Sequence, residues 1–211
     1  MKDTVEQDEK PSLRARKKLA TRDALAAAAA RLALVHGLDQ LRVEDIAAEA
    51  NVSMRTFNNY FASKQEALTA RYVDRMRHAA TALESRPAQE PLWNAIIEAI
   101  LAQWRGSARG DLAPDRANAA ELRVIYGAPT IQGEILRTAL APDHPFIRAV
   151  AARTRTDCTH DLYPRLVTAV VTSATQVAIN AFLAADPPVP LVPLLREALE
   201  QIAAGLPDPT A

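Results

Sequence analysis

The chain reads as an all-α protein, a small N-terminal part followed by a larger helical bundle. Three observations predict this. Hydrophobic residues fill 49% of the 211 positions while aromatics fill only 5%, and much of the apolar content is Ala, the residue with the strongest helix preference. Apolar positions recur at three- and four-residue spacing along most of the chain, the period of a helix buried on one side. The six Gly and fourteen Pro gather mostly between these periodic stretches, where helices must stop. A chain of this length forms one or two domains with interior enough for a core.

Residues 1–12 are polar and contain Pro11, which predicts a disordered tail. Leu13-Arg14-Ala15-Arg16-Lys17-Lys18 is a basic start to the first helix. It is either a frayed, solvated turn or a phosphate contact. That helix begins at residue 13 or 21 and runs to His36, with Leu25, Ala29 and Leu32 as its stripe. Gly37 ends it, since glycine enters the left-handed region that a helix exit needs. His36, at the negative end of a helix dipole, reads as a cap and not as a ligand.

Residues 43–50 form a short helix with Ile46, Ala47 and Ala50 on one face. Asn51-Val52-Ser53 is a corner: Asn tolerates left-handed backbone, and Ser53 can cap the helix that follows over 54–60. That helix buries Phe57 and Phe61, four apart, and its other face carries Arg55, Thr56, Asn58, Asn59 and Tyr60. Ser63-Lys64-Gln65-Glu66 has the form of a capping box and opens a helix over 64–86, striped by Leu68, Tyr72, Met76, Ala79 and Leu83. Pro87 and Pro91 close it. This helix is the continuous link between the two parts.

The remainder divides into helices over 92–105, with Trp93 and Trp104, then 115–126, 130–140, 146–156, 161–185 and 191–206. A loop is expected over 106–114, and Pro187, Pro188 and Pro190 make a rigid corner. The 161–185 helix is apolar on more than one side, through Leu162, Leu166, Val167, Val170, Val171, Val177, Ala178, Ile179 and Phe182. Such a helix lies at the centre of a bundle, or has core on one side and a partner subunit on the other, where Ala169, Ser173 and Ala181 allow close approach. Its uncharged run is long enough to span a bilayer. Six polar residues in it (Thr168, Thr172, Ser173, Thr175, Gln176 and Asn180) favour a soluble bundle instead.

Composition narrows the function. Net charge is zero, yet residues 10–64 carry ten basic residues against five acidic ones, and residues from 65 onward carry fourteen against sixteen. A polyanion responds to that local excess. One cysteine, Cys158, rules out an internal disulfide framework and suits the reducing cytoplasm. The first ten residues lack the apolar core of a signal peptide. The sequence contains no G-x-S-x-G, no phosphate loop, no H-E-x-x-H and no C-x-x-C, so no catalytic residue and no cofactor is assigned. Asp157, Cys158, His160 and Asp161 lie close together. They read as a polar loop; one Cys and one nearby His fall short of the converging set a metal needs, and no metal site is assigned.

An exposed short helix rich in Arg, Asn and Thr suits a DNA major groove, where Arg grips guanine and Asn grips adenine by two bonds each. Its bland counterpart is a helical hairpin with a solvated polar face. Over about residues 22–68 the sequence resembles the DNA-binding half of the TetR family of bacterial transcriptional repressors. The frame is His36-Gly37-Leu38, Val43-Glu44-Asp45-Ile46-Ala47, Val52-Ser53, Thr56-Phe57, Tyr60-Phe61 and Ser63-Lys64. Four positions depart from the commoner family residues: Ala33 stands for Phe, Arg42 for Thr or Ser, Asn51 for Gly and Ala62 for Pro. The short Ala33 calls for compensation from Leu34 or Leu38. Arg42 cannot cap a helix but can reach a phosphate.

The resemblance implies a domain over 13–63 with a helix-turn-helix, a connecting helix over 64–86, and a ligand-binding and dimerising bundle over 87–211. It implies a homodimer on double-stranded DNA, its two readers about 34–36 Å apart on a near-palindromic operator, released by a small effector. Base contacts fall to Arg55, Thr56, Asn58 and Asn59. Phosphate contacts fall to Arg16, Lys17, Arg42, Ser53, Tyr60 and Lys64. The bundle's apolar helices suggest an apolar or amphipathic effector, such as an acyl derivative, drug or aromatic compound. Its candidate lining is Trp93, Trp104, Arg123, Tyr126, Phe146, Tyr163 and Phe182. The dimer face is assigned to Leu166, Val170, Ser173, Val177 and Ala181 with Leu195 and Leu199. The runner-up function is a DNA-binding protein with an architectural role and no effector; many scattered genomic sites would distinguish it.

Overall fold

The computed structural model describes residues 12–105 and 116–208. Every regular element among them is an α-helix: α1 (Leu13–His36), α2 (Val43–Glu49), α3 (Met54–Asn58), α4 (Lys64–Glu84), α5 (Leu92–Arg105), α6 (Arg116–Gly127), α7 (Pro129–Ala139), α8 (Pro145–Thr154), α9 (Leu162–Ala184) and α10 (Leu191–Ala203). Of the tail expected over residues 1–12, residues 1–11 lie outside the described residues and Ser12 is ordered as the cap of α1; the loop expected over 106–114 also lies outside them. The chain divides into two compact units between Ala67 and Leu68, inside α4.

In the N-terminal unit α1 takes the longer of its two expected forms. Ser12 caps it, its Oγ accepting from Ala15 N at 3.2 Å, so the basic start is helical. Six residues are buried, Leu25 with Ala26, Ala28, Ala29, Ala30 and Ala33; this is an alanine face that lets neighbours come close. Leu34 is exposed, so it does not compensate for the small Ala33. Leu38 is half-buried. Gly37 has φ +80°, and its N–H donates to Ala33 O at 3.0 Å, closing the helix as expected.

Asn51 adopts φ +54° at the corner between α2 and α3. Ser53 Oγ accepts from Thr56 N at 3.1 Å, the expected cap. Helix α3 is two residues shorter than its pattern predicts, because the chain tightens at its end: Asn59 caps it and Tyr60 N donates to Phe57 O at 2.8 Å. That tight turn still carries Phe61 inward, its ring centroid 5.8 Å from that of Phe57. Leu25, Ile46, Phe57 and Phe61, none more than 2% exposed, form the core of this unit. The capping box at the start of α4 forms with a variation. Ser63 Oγ accepts from Glu66 N, while Glu66 reaches one residue further back and accepts from Ala62 N at 2.6 Å.

The second unit is the bundle. Helix α9 packs against α6, α7, α8 and α10, and α5 packs against α10. Val167, Val171, Ala174, Ala178, Ile179 and Phe182 are its buried apolar face. Its inward threonines satisfy themselves: Thr168 and Thr172 donate to Pro164 O and Thr168 O, one turn back, at 2.9 and 2.8 Å. The opposite face shows Leu166 and Val177 to solvent, with Ser173 and Ala181 between and beyond them.

Helix α10 corrects one assignment. Leu195 and Leu199 are both 0% exposed, locked with Leu191 into the protomer's own core at four-residue spacing, and no side chain so enclosed is available to a second copy. The outward positions of α10 beside α9 are Ala198, Gln201 and Ile202, which with Ala169, Val170, Ser173 and Val177 line an open apolar groove of about 340 Å³.

Candidate functional site

The outward face of the corner is made by what the core leaves over. Phe57 and Phe61 point in, so Arg55, Asn58 and Asn59 point out, exposed. Among the described residues their side chains have no hydrogen-bond or ion-pair partner. Thr56 differs: it is half-buried and its hydroxyl lies 2.9 Å from Ser53 Oγ, so it is part of the cap. Arg16, Lys17 and Arg42 are exposed and Tyr60 is half-buried. Arg42 stands at the N-cap position of α2 without a side-chain cap bond.

Lys64 has a structural task that spacing did not reveal. Its ammonium donates to Leu38 O at 2.9 Å and Leu41 O at 2.8 Å, satisfying carbonyls of the turn between α1 and α2. Two of its three donors are thereby occupied. Arg31 and Glu49 make a second brace, joining α1 to α2 with Arg31 Nε 2.9 Å from the carboxylate. The corner is thus held by local caps and by two longer polar braces around a small apolar centre.

In the bundle, a cavity of about 20 Å³ is lined by Tyr72, Arg75, Met76 and Ala79 of α4, Ile100, Gln103 and Trp104 of α5, Tyr126 of α6, and Thr172 and Thr175 of α9. Of the seven candidates for an effector pocket, only Trp104 and Tyr126 reach it. Phe146 and Phe182 are core residues on α8 and α9, and Tyr163 is 43% exposed. Trp93 is half-buried at the start of α5. Arg123 is exposed and donates to Leu183 O at 3.3 Å.

The residues that spacing missed are Tyr72 and Arg75. Tyr72 belongs to the apolar stripe of α4, and the stripe takes no account of Arg75. The available signal was a charge at a stripe position, since Arg75 falls three residues after Tyr72 and four before Ala79, on the same face. Its guanidinium stacks 4.4 Å from the Trp104 ring, and Nη2 donates to Tyr126 Oη at 2.8 Å. The Tyr72 hydroxyl lies 3.2 Å from Thr172 Oγ1. Burial is the main cause that raises this phenol's pKa, and the hydrogen bond to Thr172 opposes it.

The loop between α8 and α9 uses its polar groups internally. Asp157 accepts from Thr159 N at 2.6 Å and His160 N at 3.1 Å, which, with the His160 ring, hold its carboxyl down to about 2. Asp161 accepts from Asp157 N at 2.7 Å.

Comparison with known proteins agrees with both units. Residues 25–70 match the family described as bacterial regulatory proteins, tetR family, and residues 90–207 match the family described as the MftR C-terminal domain. The HTH-type transcriptional regulator TcmR of Streptomyces glaucescens is 34% identical over 181 residues, 83% of this chain and 79% of its own. Two solved structures share the fold. SmeT, the repressor of the Stenotrophomonas maltophilia multidrug efflux pump SmeDEF, matches at TM-score 0.54 and 18% identity, over 89% of this chain and 91% of its own. FadR, a fatty acid degradation regulator from Bacillus halodurans, matches at TM-score 0.52 and 17% identity, over 94% and 98%. With a family match over more than half its length and a regulator 34% identical across most of it, this chain belongs to the TetR family: it is a DNA-binding transcriptional regulator with a helix-turn-helix, and not an enzyme.

Proposed function

We propose that this regulator is a homodimeric repressor of the cytoplasm. On this reading two α3 helices enter successive major grooves of a near-palindromic operator, and a small effector taken up by the bundle releases the DNA. The observation that carries the reading is the state of α3. Arg55, Asn58 and Asn59 are exposed and lack partners among the described residues, while Ser53, Glu66 and Lys64 around them are committed to holding the corner. Unpartnered Arg and Asn on a rigid short helix are what base edges need. Arg16, Lys17 and Arg42 supply phosphate contacts that add affinity and salt dependence without sequence choice.

The second copy docks on α9 and α10. Leu166, Val170, Ser173, Val177 and Ala181 form an outward stripe beside the open groove, with Ala198 and Ile202 in the place first given to Leu195 and Leu199. Helix α4 opens in the reader and continues into the bundle, so a ligand with different affinity for two placements of α4 shifts the reader.

Genomic footprinting tests the reading. The expected result is a small set of near-palindromic sites with half-sites about one helical turn, 10–10.5 base pairs, apart. Many scattered sites without symmetry would support the architectural alternative instead. Val177→Arg sets a charge on the proposed interface; it should give a folded monomer in light scattering with no operator binding at concentrations that saturate the unsubstituted protein. A dimer that tolerates it overturns the interface.

A further inference from the structure

The bundle cavity holds a cation and no carboxylate in its lining; Gln103 Nε2 and Thr175 Oγ1 donate to Ala99 O and Val171 O, so both side chains keep an acceptor oxygen free. Arg75 brings a guanidinium into it, with Nη2 given to Tyr126 Oη. Among the described residues no carboxylate pairs with Arg75; Asp74 pairs with Arg77 at 3.0 Å and Glu121 with Arg71. Tyr126 is 2% exposed and accepts from Arg75, so its own hydroxyl hydrogen has no acceptor among the described residues. Thr172 already donates to Thr168 O at 2.8 Å, which makes Tyr72 the donor of their shared bond. A cation and phenolic O–H groups set among Met76, Ala79, Ile100 and Trp104 attract negative charge carried on an apolar body. Arg75 is half-buried; drawing a positive charge partly out of water without a counter-charge costs some of its hydration, and an aromatic face offsets only part of that cost.

We propose that this cavity binds an organic anion, a carboxylate or sulfonate on a flat apolar frame, its acid gripped by Arg75 and the Tyr126 hydroxyl. This rests on the reading of the bundle as the effector domain and adds the charge of the ligand to it. The cavity measures about 20 Å³, room for roughly one water molecule. A ringed anion enters only as Arg75 leaves the face of Trp104. Arg75 lies on α4, about three turns from Lys64, so the residue that must move for the ligand sits on the helix that opens in the reader.

Two fluorescent probes with the same ring system test this on the full-length protein. 1-Anilinonaphthalene-8-sulfonate carries a sulfonate, and N-phenyl-1-naphthylamine carries none. The expected result is about a tenfold or greater preference for the sulfonate, the size of a charge-assisted hydrogen bond. Arg75→Gln should erase that preference and leave the neutral probe's affinity within about twofold, while Arg75→Lys, which keeps the charge, retains part of it. A structural brace alone would alter both probes together. Equal preference in Arg75→Gln and the unsubstituted protein, or no preference in either, overturns the proposal. Operator release, measured separately, distinguishes the underlying reading. If the sulfonate prefers Arg75 yet no bound ligand alters operator affinity, anion binding stands and the effector role falls. If a neutral ligand releases the operator equally from the protein and from Arg75→Gln, and the sulfonate shows no preference that depends on Arg75, the effector role stands and the anion site falls.

Discussion

The reader and the bundle are held together by different means, and the difference decides which could be read from sequence. In the reader, elements as short as five and seven residues are fixed by bonds between near neighbours: Ser53 to Thr56, Ser63 to Glu66, Glu66 to Ala62. Helices so short are unstable alone, so caps and a few large side chains do the holding. In the bundle, helices of 10 to 23 residues carry long apolar faces, and its cavity joins Tyr72 to Thr172 and Arg75 to Tyr126, residues far apart in the chain. Local bonding leaves a motif; long-range packing leaves only a period.

The sharpest way to break the comparison is to remove the reader's centre. Phe57 is 0% exposed and packs beside Phe61. Phe57→Ala should cost about 3–5 kcal/mol, enough to unfold a small unit. Chemical denaturation should then show two transitions, the first at low denaturant, with operator binding lost and most helical circular dichroism retained. A single transition at the original midpoint would mean that the two units do not differ in this way.

Acid should act on the bundle instead. His144 is buried, and among the described residues neither ring nitrogen has a hydrogen-bond partner. Burial is the main cause that pushes its pKa down to about 4, with Arg148 adding and Asp143 opposing. In the unfolded chain it takes a proton at about 6.5. Between those values the unfolded state binds more protons, so the stability present above pH 6.5 is lost as pH falls towards 4, by up to about 3 kcal/mol. Unfolding of His144→Leu, followed from pH 7 to 4, should lack this share of the acid loss.

Lys64 sharpens the comparison, since its hydrogen bonds reach 26 and 23 residues back along the chain. Family resemblance assigned it to phosphate, whereas its ammonium meets Leu38 O and Leu41 O. Lys64→Met should lower stability by about 2 kcal/mol, within the usual range for hydrogen bonds to a charged group, and leave the salt slope of operator binding little changed. Lys17→Ala should do the opposite, lowering the slope by about one with stability unchanged. A full unit lost from the slope in Lys64→Met would return it to the phosphate set.

These cases show what was legible. The helix order was, because Pro and Gly punctuate it. The corner was, because Asn51, Ser53 and the Ser63 to Glu66 box act within four residues. Leu195 and Leu199 were misassigned because periodicity finds an apolar face without saying what covers it. Arg75 was passed over because its partners, Trp104 and Tyr126, come from other helices, and nothing near it in sequence marks a charge as enclosed.

The smallest effect separates two tasks of one atom. Ser53 is a proposed phosphate contact, yet its Oγ already accepts from Thr56 N and lies 2.9 Å from Thr56 Oγ1. Ser53→Ala removes both the cap and any contact, so it should cost about 1 kcal/mol of stability and weaken the operator complex. Ser53→Asp keeps a capping oxygen, and its charge suits a helix N-terminus but repels phosphate. If Ser53 faces the backbone of DNA, Ser53→Asp should keep the stability and lose more operator affinity than Ser53→Ala. If the cap is its whole role, Ser53→Asp should restore both, and the local bond that made the corner legible would be all that Ser53 contributes.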